Sequence, residues 1–121
     1  MGKVTPKTNP ALLSLVERLK KESFEQKAPV WRDVADRLMK SRQHWAEVNL
    51  SRIERYADAD ETIIIPGKLL GAGAISKKVT VAAFKCSEAA RDKIAKAGGK
   101  SMSIEELLES NPKGSDVRIM G

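Results

Sequence analysis

A run of β-branched residues from Thr62 to Ile65 constrains the fold more than any other segment. Because no polar residue interrupts this run, it predicts a strand that is buried on both faces. Pro66 and Gly67 follow directly and predict the end of that strand. A second apolar segment, Val79 to Cys86, predicts another strand. The glycine-rich residues 71–74 between the two predict a tight loop.

The N-terminal part of the chain carries helical patterns instead. Apolar residues recur three and four positions apart from Leu12 to Leu19, and again from Trp31 to Leu38. Asn9-Pro10 supplies a cap and a first-turn proline for the first helix. Pro29 separates the two helices, and residues 40–45 predict the loop that follows them.

Three serines mark the starts of later helices. Ser51 and Ser103 each precede a glutamate by three residues, which predicts two capping boxes. Ser87 is expected to cap a helix that Gly98-Gly99 ends. Val117 to Met120 predicts a last short strand.

These elements predict a single α/β domain over residues 1–121. It consists of a basic N-terminal arm over residues 1–9, a mainly helical part over residues 10–57 and a mixed α/β part over residues 58–121. The helical part begins with a hairpin of two helices, and short strands alternate with short helices after it.

The charge balance points to a polyanionic partner. The chain of 121 residues has 22 Lys and Arg against 16 Asp and Glu, a net charge of +6. Residues 67–100 contain eight of the basic residues and only two acidic ones. Such an excess favours nucleic acid or an anionic membrane surface as partner. No segment approaches the roughly 18 apolar residues of a membrane span, and the N-terminus lacks an apolar signal core, so a cytoplasmic protein is expected.

The chain offers little for catalysis or for a cofactor. With one cysteine, Cys86, and one histidine, His44, it has neither an internal disulfide nor the ligands of a conventional structural zinc site. The two residues are far apart in sequence, which does not favour a thiol enzyme. The glycine-rich segment from Gly71 to Ser76 has the wrong spacing for a P-loop or a dinucleotide-binding loop. No enzymatic activity, cofactor, metal or small-molecule substrate is therefore expected.

Aromatic residues are scarce, with two Trp, two Phe and one Tyr. This number argues against a sheet that stacks many bases. Trp31 and Trp45 are expected in the core and at its edge.

Seven short segments occur in order along the chain: Thr8-Asn9-Pro10, Trp31-Arg32-Asp33, Ala46 to Ile53, Pro66 to Gly71, Val79 to Phe84, Ala97-Gly98-Gly99 and Asn111 to Ser115. Together they resemble the archaeal and eukaryotic large-subunit ribosomal protein family L18e. The resemblance covers nearly the whole chain and is to the archaeal members, since the long eukaryotic extensions are absent. The related bacterial family L15 has a basic glycine-rich N-terminal extension that this chain lacks.

The resemblance implies an irregular superhelix of strand–strand–helix units preceded by N-terminal helices. It also implies a structural, non-catalytic role in translation, with large-subunit ribosomal RNA and neighbouring ribosomal proteins as partners and the cytoplasmic ribosome as location. No membrane contact is expected.

Basic residues in the arm, the loops and the turns are the candidates for RNA contacts, because Lys and Arg displace counterions from the phosphate backbone. Gly71 and Gly73 are also candidates for RNA contacts, because at least one of them is expected to have a positive φ or to let the backbone approach RNA closely. Lys77 and Lys78 are expected to be surface residues of a turn. The full set is Lys3, Lys7, Arg42, His44, Arg52, Lys68, Gly71, Gly73, Lys77, Lys78, Lys100, Lys113 and Arg118.

A DNA-binding regulator is the alternative function. The two helices joined near Ala28-Pro29 are compatible with a helix-turn-helix arrangement. However, Arg32, Arg37 and Lys40 alternate with two aspartates in the second helix, which makes a weak recognition face.

Overall fold

The computed structural model describes residues 10–40 and 45–121. Lys3, Lys7, Arg42, His44 and the basic arm, which were singled out from sequence, lie outside the described residues. The helices are α1 (Pro10–Glu25), α2 (Pro29–Leu38), α3 (Leu50–Tyr56), α4 (Glu88–Lys96) and α5 (Ile104–Ser110). The strands are β1 (Ala46–Asn49), β2 (Thr62–Leu70), β3 (Thr80–Cys86), β4 (Lys100–Ser103) and β5 (Val117–Ile119).

All strand pairings are parallel, and the long strand β2 is the centre of the sheet. On one side β2 pairs with β3, which pairs with β4. On its other side β2 pairs with two strands in succession, β5 along Thr62 to Ile64 and β1 along Gly67 to Leu70. The α/β class expected from sequence is confirmed.

The predicted end of the central strand at Pro66-Gly67 is wrong, because β2 continues to Leu70. The pairing with β3 shifts register between Ile65 and Lys68. Proline has no N–H to donate to the ladder, and such a bulge is where a strand tolerates it. Gly67 lies against β1 so closely that a Cβ would collide with the carbonyl of Ala46. This close strand contact requires glycine.

Helices cover both faces of the sheet. Ile64 and Ala82 pack with α1, α2 and α5 in one core, whereas Ile63, Ile65 and Val81 pack with α3 and α4 in the other. The run from Thr62 to Ile65 is therefore buried from both sides, as its composition predicted. Within residues 10–40 and 45–121, no helix is both long enough and apolar enough to cross a membrane.

Both tryptophans lie in the core that includes the helical hairpin, as predicted. Trp31 is fully buried, and its Nε1 donates to the carbonyl of Pro112 at 2.7 Å. Trp45 donates to the carbonyl of Leu38 at 3.0 Å and contacts Phe84 edge to face, with 5.2 Å between ring centroids. These hydrogen bonds satisfy the only polar atom of each ring.

Two of the three predicted serine caps are present. The Ser87 hydroxyl accepts from the N–H of Ala90, and Ser103 forms the complete capping box with Glu106. The prediction of a capping box at Ser51 is wrong. The helix α3 begins at Leu50, so Ser51 lies inside it, and the predicted partner Glu54 accepts hydrogen bonds from elsewhere in the chain.

Strand β4 was missed from sequence. Its residues, Lys100 to Ser103, include two serines and have no apolar alternation, so nothing local distinguishes them from a loop. These residues join the sheet because Gly98 and Gly99 end α4 with two hydrogen bonds to its last turn. The chain then enters the sheet beside Val79, whose carbonyl accepts from the N–H of Lys100 at 2.9 Å.

Candidate nucleic-acid interface

The connection between β2 and β3, residues 71–79, lies along α3. Gly73 is next to Ser51, Ser76 bonds Glu54, and Lys77 bonds the carbonyl of Ala57. Each contact is one turn or less further along the helix than the last. The exposed side of α3 and this connection therefore form one continuous surface, here called the α3 surface.

The two glycines at the start of the connection are held against the protein itself. Gly73 has φ +93°, which confirms that at least one of them adopts a positive φ. A Cβ on Gly73 would lie 2.6 Å from the Cβ of Ser51. A Cβ on Gly71 would lie 2.8 Å from the Cβ of Ala89 in α4. The absence of side chains thus allows the loop to pack on α3 and α4, and contact of these glycines with RNA stays a prediction.

A lysine that the sequence analysis did not single out fixes this loop. The Nζ of Lys93, in α4, donates to the carbonyls of Gly71 and Gly73, each at 2.8 Å. Ala72 is bonded on both sides: its carbonyl accepts from the N–H of Ser51 at 3.1 Å, and its N–H donates to Oδ1 of Asn49 at 3.2 Å. Contacts with both α3 and α4 therefore restrain the backbone of this loop.

Lys77 and Lys78 have different environments, although both were expected at the surface. Lys78 is exposed, as expected. Lys77 is half-buried, and its Nζ donates to the carbonyl of Ala57 at 2.6 Å at the end of α3. That carbonyl is one of those left without a helical partner, and a cation there is favourable. The expectation of a pure surface residue is therefore wrong for Lys77.

The neighbouring carboxylate of Glu54 is engaged within the α3 surface. Ser76 donates to it from its N–H at 3.0 Å and from its hydroxyl at 2.7 Å. These two hydrogen bonds favour the ionised form and lower the pKa of Glu54 below its usual value of 4.5. The bonds hold the middle of the connection on the helix.

The remaining predicted residues of this region differ in how they are paired. Arg52 is exposed and has no ion pair among the described residues. Arg118, in β5, donates to the carbonyl of Tyr56 at 3.0 Å and forms an ion pair with Glu61 at 3.2 Å. Arg118 thus has partners within the protein, which sets it apart from Arg52.

Lys68 lies on β2 in a row of three charged residues across the sheet. It is in register with Glu47 on β1 and with Lys85 on β3. Side chains at such positions are neighbours, and two like charges there repel. Lys85, which the sequence analysis did not select, is exposed and makes this row net positive.

Lys100 and Lys113 lie away from the glycine-rich loop. Lys100 starts β4, at the amino-terminal edge of the parallel sheet, whereas the glycine-rich loop follows the carboxyl end of β2. Lys113 lies in the turn between α5 and β5, next to Pro112, which accepts from Trp31. Both lysines are exposed. The predicted residues that the structure describes thus do not converge on one patch, and of these only Arg52, Gly71, Gly73, Lys77 and Lys78 share the α3 surface.

The single cysteine has the environment of a structural residue. Cys86 ends β3 and is half-buried, and burial raises the pKa of its thiol above the usual value of 9.0. A raised pKa keeps the thiol protonated near neutral pH, the opposite of what a nucleophile needs.

Comparison with known proteins identifies the family. The family model described as "Ribosomal protein 60S L18 and 50S L18e" matches residues 3–121. The chain belongs to this ribosomal protein family. The resemblance seen in the seven sequence segments is confirmed.

Curated relatives of this family are similar along nearly their whole length. Large ribosomal subunit protein eL18 of Archaeoglobus fulgidus is 54% identical over 114 residues, which cover 94% of this chain and 97% of the relative. The protein of the same name from Halobacterium salinarum has the same identity and coverage. That of Methanoregula boonei is 50% identical over 120 residues and 99% of each chain.

Two further exposed residues of the α3 surface were missed, Arg55 and Tyr56. A signal was present in the sequence, since they follow Arg52 by three and four positions in a segment predicted to be helical. That spacing places all three on one side of a helix. By contrast, the roles of Lys93 and Lys85 depend on contacts that the sequence does not reveal.

Proposed function

We propose that the protein is a structural component of the large ribosomal subunit that binds and stabilises large-subunit ribosomal RNA in translation. The observation that carries the proposal is family membership over residues 3–121, with relatives named as large ribosomal subunit proteins. Its partners are then the RNA and adjoining ribosomal proteins, and its location is the cytoplasmic ribosome. The protein supplies fixed geometry rather than turnover.

The charge distribution supports binding to a polyanion. The basic side chains of Arg52, Arg55 and Lys78 lie exposed on or beside the α3 surface, and Lys68 with Lys85 forms a second positive pair on the sheet. Each cation that neutralises a phosphate releases counterions, so affinity falls as salt concentration rises. If these five residues all contact phosphates, the logarithm of the affinity falls with a slope of about −4 against the logarithm of salt concentration.

The α2 helix gives no support for the DNA-binding alternative. Arg32 and Arg37 form ion pairs with Asp36 and Asp33, at 3.3 and 2.9 Å. The apolar side of the same helix, including Trp31, is buried in the hydrophobic core. A recognition helix needs free donors on an exposed face, and both arginines of α2 already have carboxylate partners.

Sucrose-gradient sedimentation of a cell extract tests the proposal. The native protein is expected to sediment with the large subunit, and purified protein is expected to bind large-subunit RNA with a steep salt dependence. Duplex DNA of the same length at the same salt concentration is the control. Equal affinity for the DNA, together with absence from the large-subunit fractions, would contradict the proposed function.

A further inference from the structure

One side of α3 carries exposed polar and aromatic side chains. Ser51, Arg52, Arg55 and Tyr56 are all exposed, and their spacing places them side by side on the helix. They line an open depression of about 350 Å³. The glycine-rich loop borders this depression, because Gly73 lies against Ser51.

The two arginines of this depression lack a counter-charge in the described part of the chain. Neither forms an ion pair there. The one acidic residue of α3, Glu54, is held by Ser76. Like charges three residues apart on a helix repel each other. An anion placed between Arg52 and Arg55 offsets that repulsion, so binding of an anion at this site is electrostatically favourable.

The aromatic residue beside them is exposed. Tyr56 has 54% of its surface accessible. The guanidinium of Arg55 lies 5.9 Å from the centroid of its ring. An exposed aromatic ring beside cationic side chains is the combination with which proteins bind single-stranded nucleic acid, because the ring stacks on a base and the cations neutralise its phosphates.

We propose that this side of α3 binds one unpaired nucleotide of RNA, with its base stacked on Tyr56 and its flanking phosphates at Arg52 and Arg55. This inference rests on the proposed function and adds the conformation of the ligand, since a base within a duplex cannot present its face to a side chain. It requires only one aromatic residue, in keeping with the small number in this chain.

The experiment uses the full chain and two RNA probes of equal length and charge. One is a short single-stranded oligouridylate, and the other carries abasic sugars in place of the nucleosides. Stacking of one base is expected to make the intact oligonucleotide bind about 5- to 150-fold more tightly. Tyr56→Leu is expected to abolish this ratio and to leave the affinity for the abasic probe unchanged. Tyr56→Phe, which keeps a stacking ring, is expected to retain it.

Phe24→Leu is the matched control, because Phe24 is 84% exposed and lies on α1, which packs on the opposite face of the sheet from α3. It is expected to leave both affinities unchanged.

Arg52→Gln combined with Arg55→Gln is expected to weaken binding of both probes and to reduce the salt slope by about 1.4. Circular dichroism melting curves of each variant establish that it is folded.

Equal binding of the two probes by the wild-type protein would overturn the inference, as would failure to bind either. The same holds if folded Tyr56→Leu keeps the wild-type ratio. If Tyr56→Leu does not fold, a 2-aminopurine base is placed in the intact probe. Quenching of its fluorescence by the wild-type protein and by Tyr56→Phe supports the inference, and no quenching overturns it. Binding of large-subunit RNA without preference for the intact probe would refute this inference alone. Loss of sedimentation with the large subunit would refute the proposed function.

Discussion

Substitution of Gly73 by alanine tests whether the glycine-rich loop depends on its contact with α3. Alanine at φ +93° costs about 1–2 kcal/mol of backbone strain. The added Cβ would lie 2.6 Å from the Cβ and 2.9 Å from the backbone nitrogen of Ser51. Neither atom belongs to a flexible chain end, so the loop must shift. The shift weakens the hydrogen bonds of Ser51 and Lys93 to the loop, each worth about 1 kcal/mol. The total expected loss of unfolding free energy is about 2–4 kcal/mol.

Gly98→Ala is the matched control for this substitution. Gly98 has a similar φ of +86°, but a Cβ there would meet no atom within 4 Å. Its expected cost is the backbone strain alone, about 1–2 kcal/mol. Both variants replace glycine by alanine, so the effect on the unfolded chain is the same and cancels. The difference between the two variants therefore isolates the contact with Ser51.

Urea unfolding followed by circular dichroism measures both free energies, and equal m-values establish that the comparison is valid. For a chain of this length, each kcal/mol corresponds to roughly 3–5 °C in Tm. If Gly73→Ala costs no more than Gly98→Ala, the loop does not depend on its packing against α3, and the reasoning is refuted.

Three other predictions concern charged residues. Lys77→Met is expected to lower the free energy of unfolding by about 1–2 kcal/mol, because it removes the hydrogen bond to the end of α3. Lys78→Met is expected to change stability by less than about 0.5 kcal/mol while reducing the salt slope of RNA binding; similar stability of the two variants would contradict this. Lys85→Gln is expected to raise Tm at low salt by relieving its repulsion with Lys68, an effect that disappears at high salt; an unchanged or lower Tm at low salt would refute it. Glu54, whose pKa is lowered, contributes stability that is present above pH 4.5 and lost as the pH falls through its folded-state pKa. In acid titrations monitored by urea unfolding, Glu54→Gln should therefore lose less stability than wild type below pH 4.5, and parallel pH profiles would contradict this.

The residues proposed to contact RNA show why individual sites were harder to predict than the function class. Net charge and motif order are properties of the whole sequence, and they sufficed to indicate a basic ribosomal protein. Whether a given lysine is free depends on its neighbours in space. Lys77 and Lys78 are adjacent in sequence, yet one is bonded to the end of α3 and the other is exposed.

Local patterns determined the elements whose stabilising contacts lie within a few residues. The serines at 87 and 103 cap helices through groups three residues away. These interactions have little loop-closure entropy to overcome, so their sequence patterns are reliable.

Tertiary contacts decided the features that local patterns predicted wrongly or missed. Pro66 remains within β2 because a bulge against β3 accommodates it. Glu54 does not cap its own helix because Ser76, 22 residues later, donates to it twice. Lys93 reaches the carbonyls of Gly71 and Gly73 from a different helix. Each outcome is a competition between a nearby partner and a distant one, and the distant partner is in reach only after the sheet and its helices have assembled.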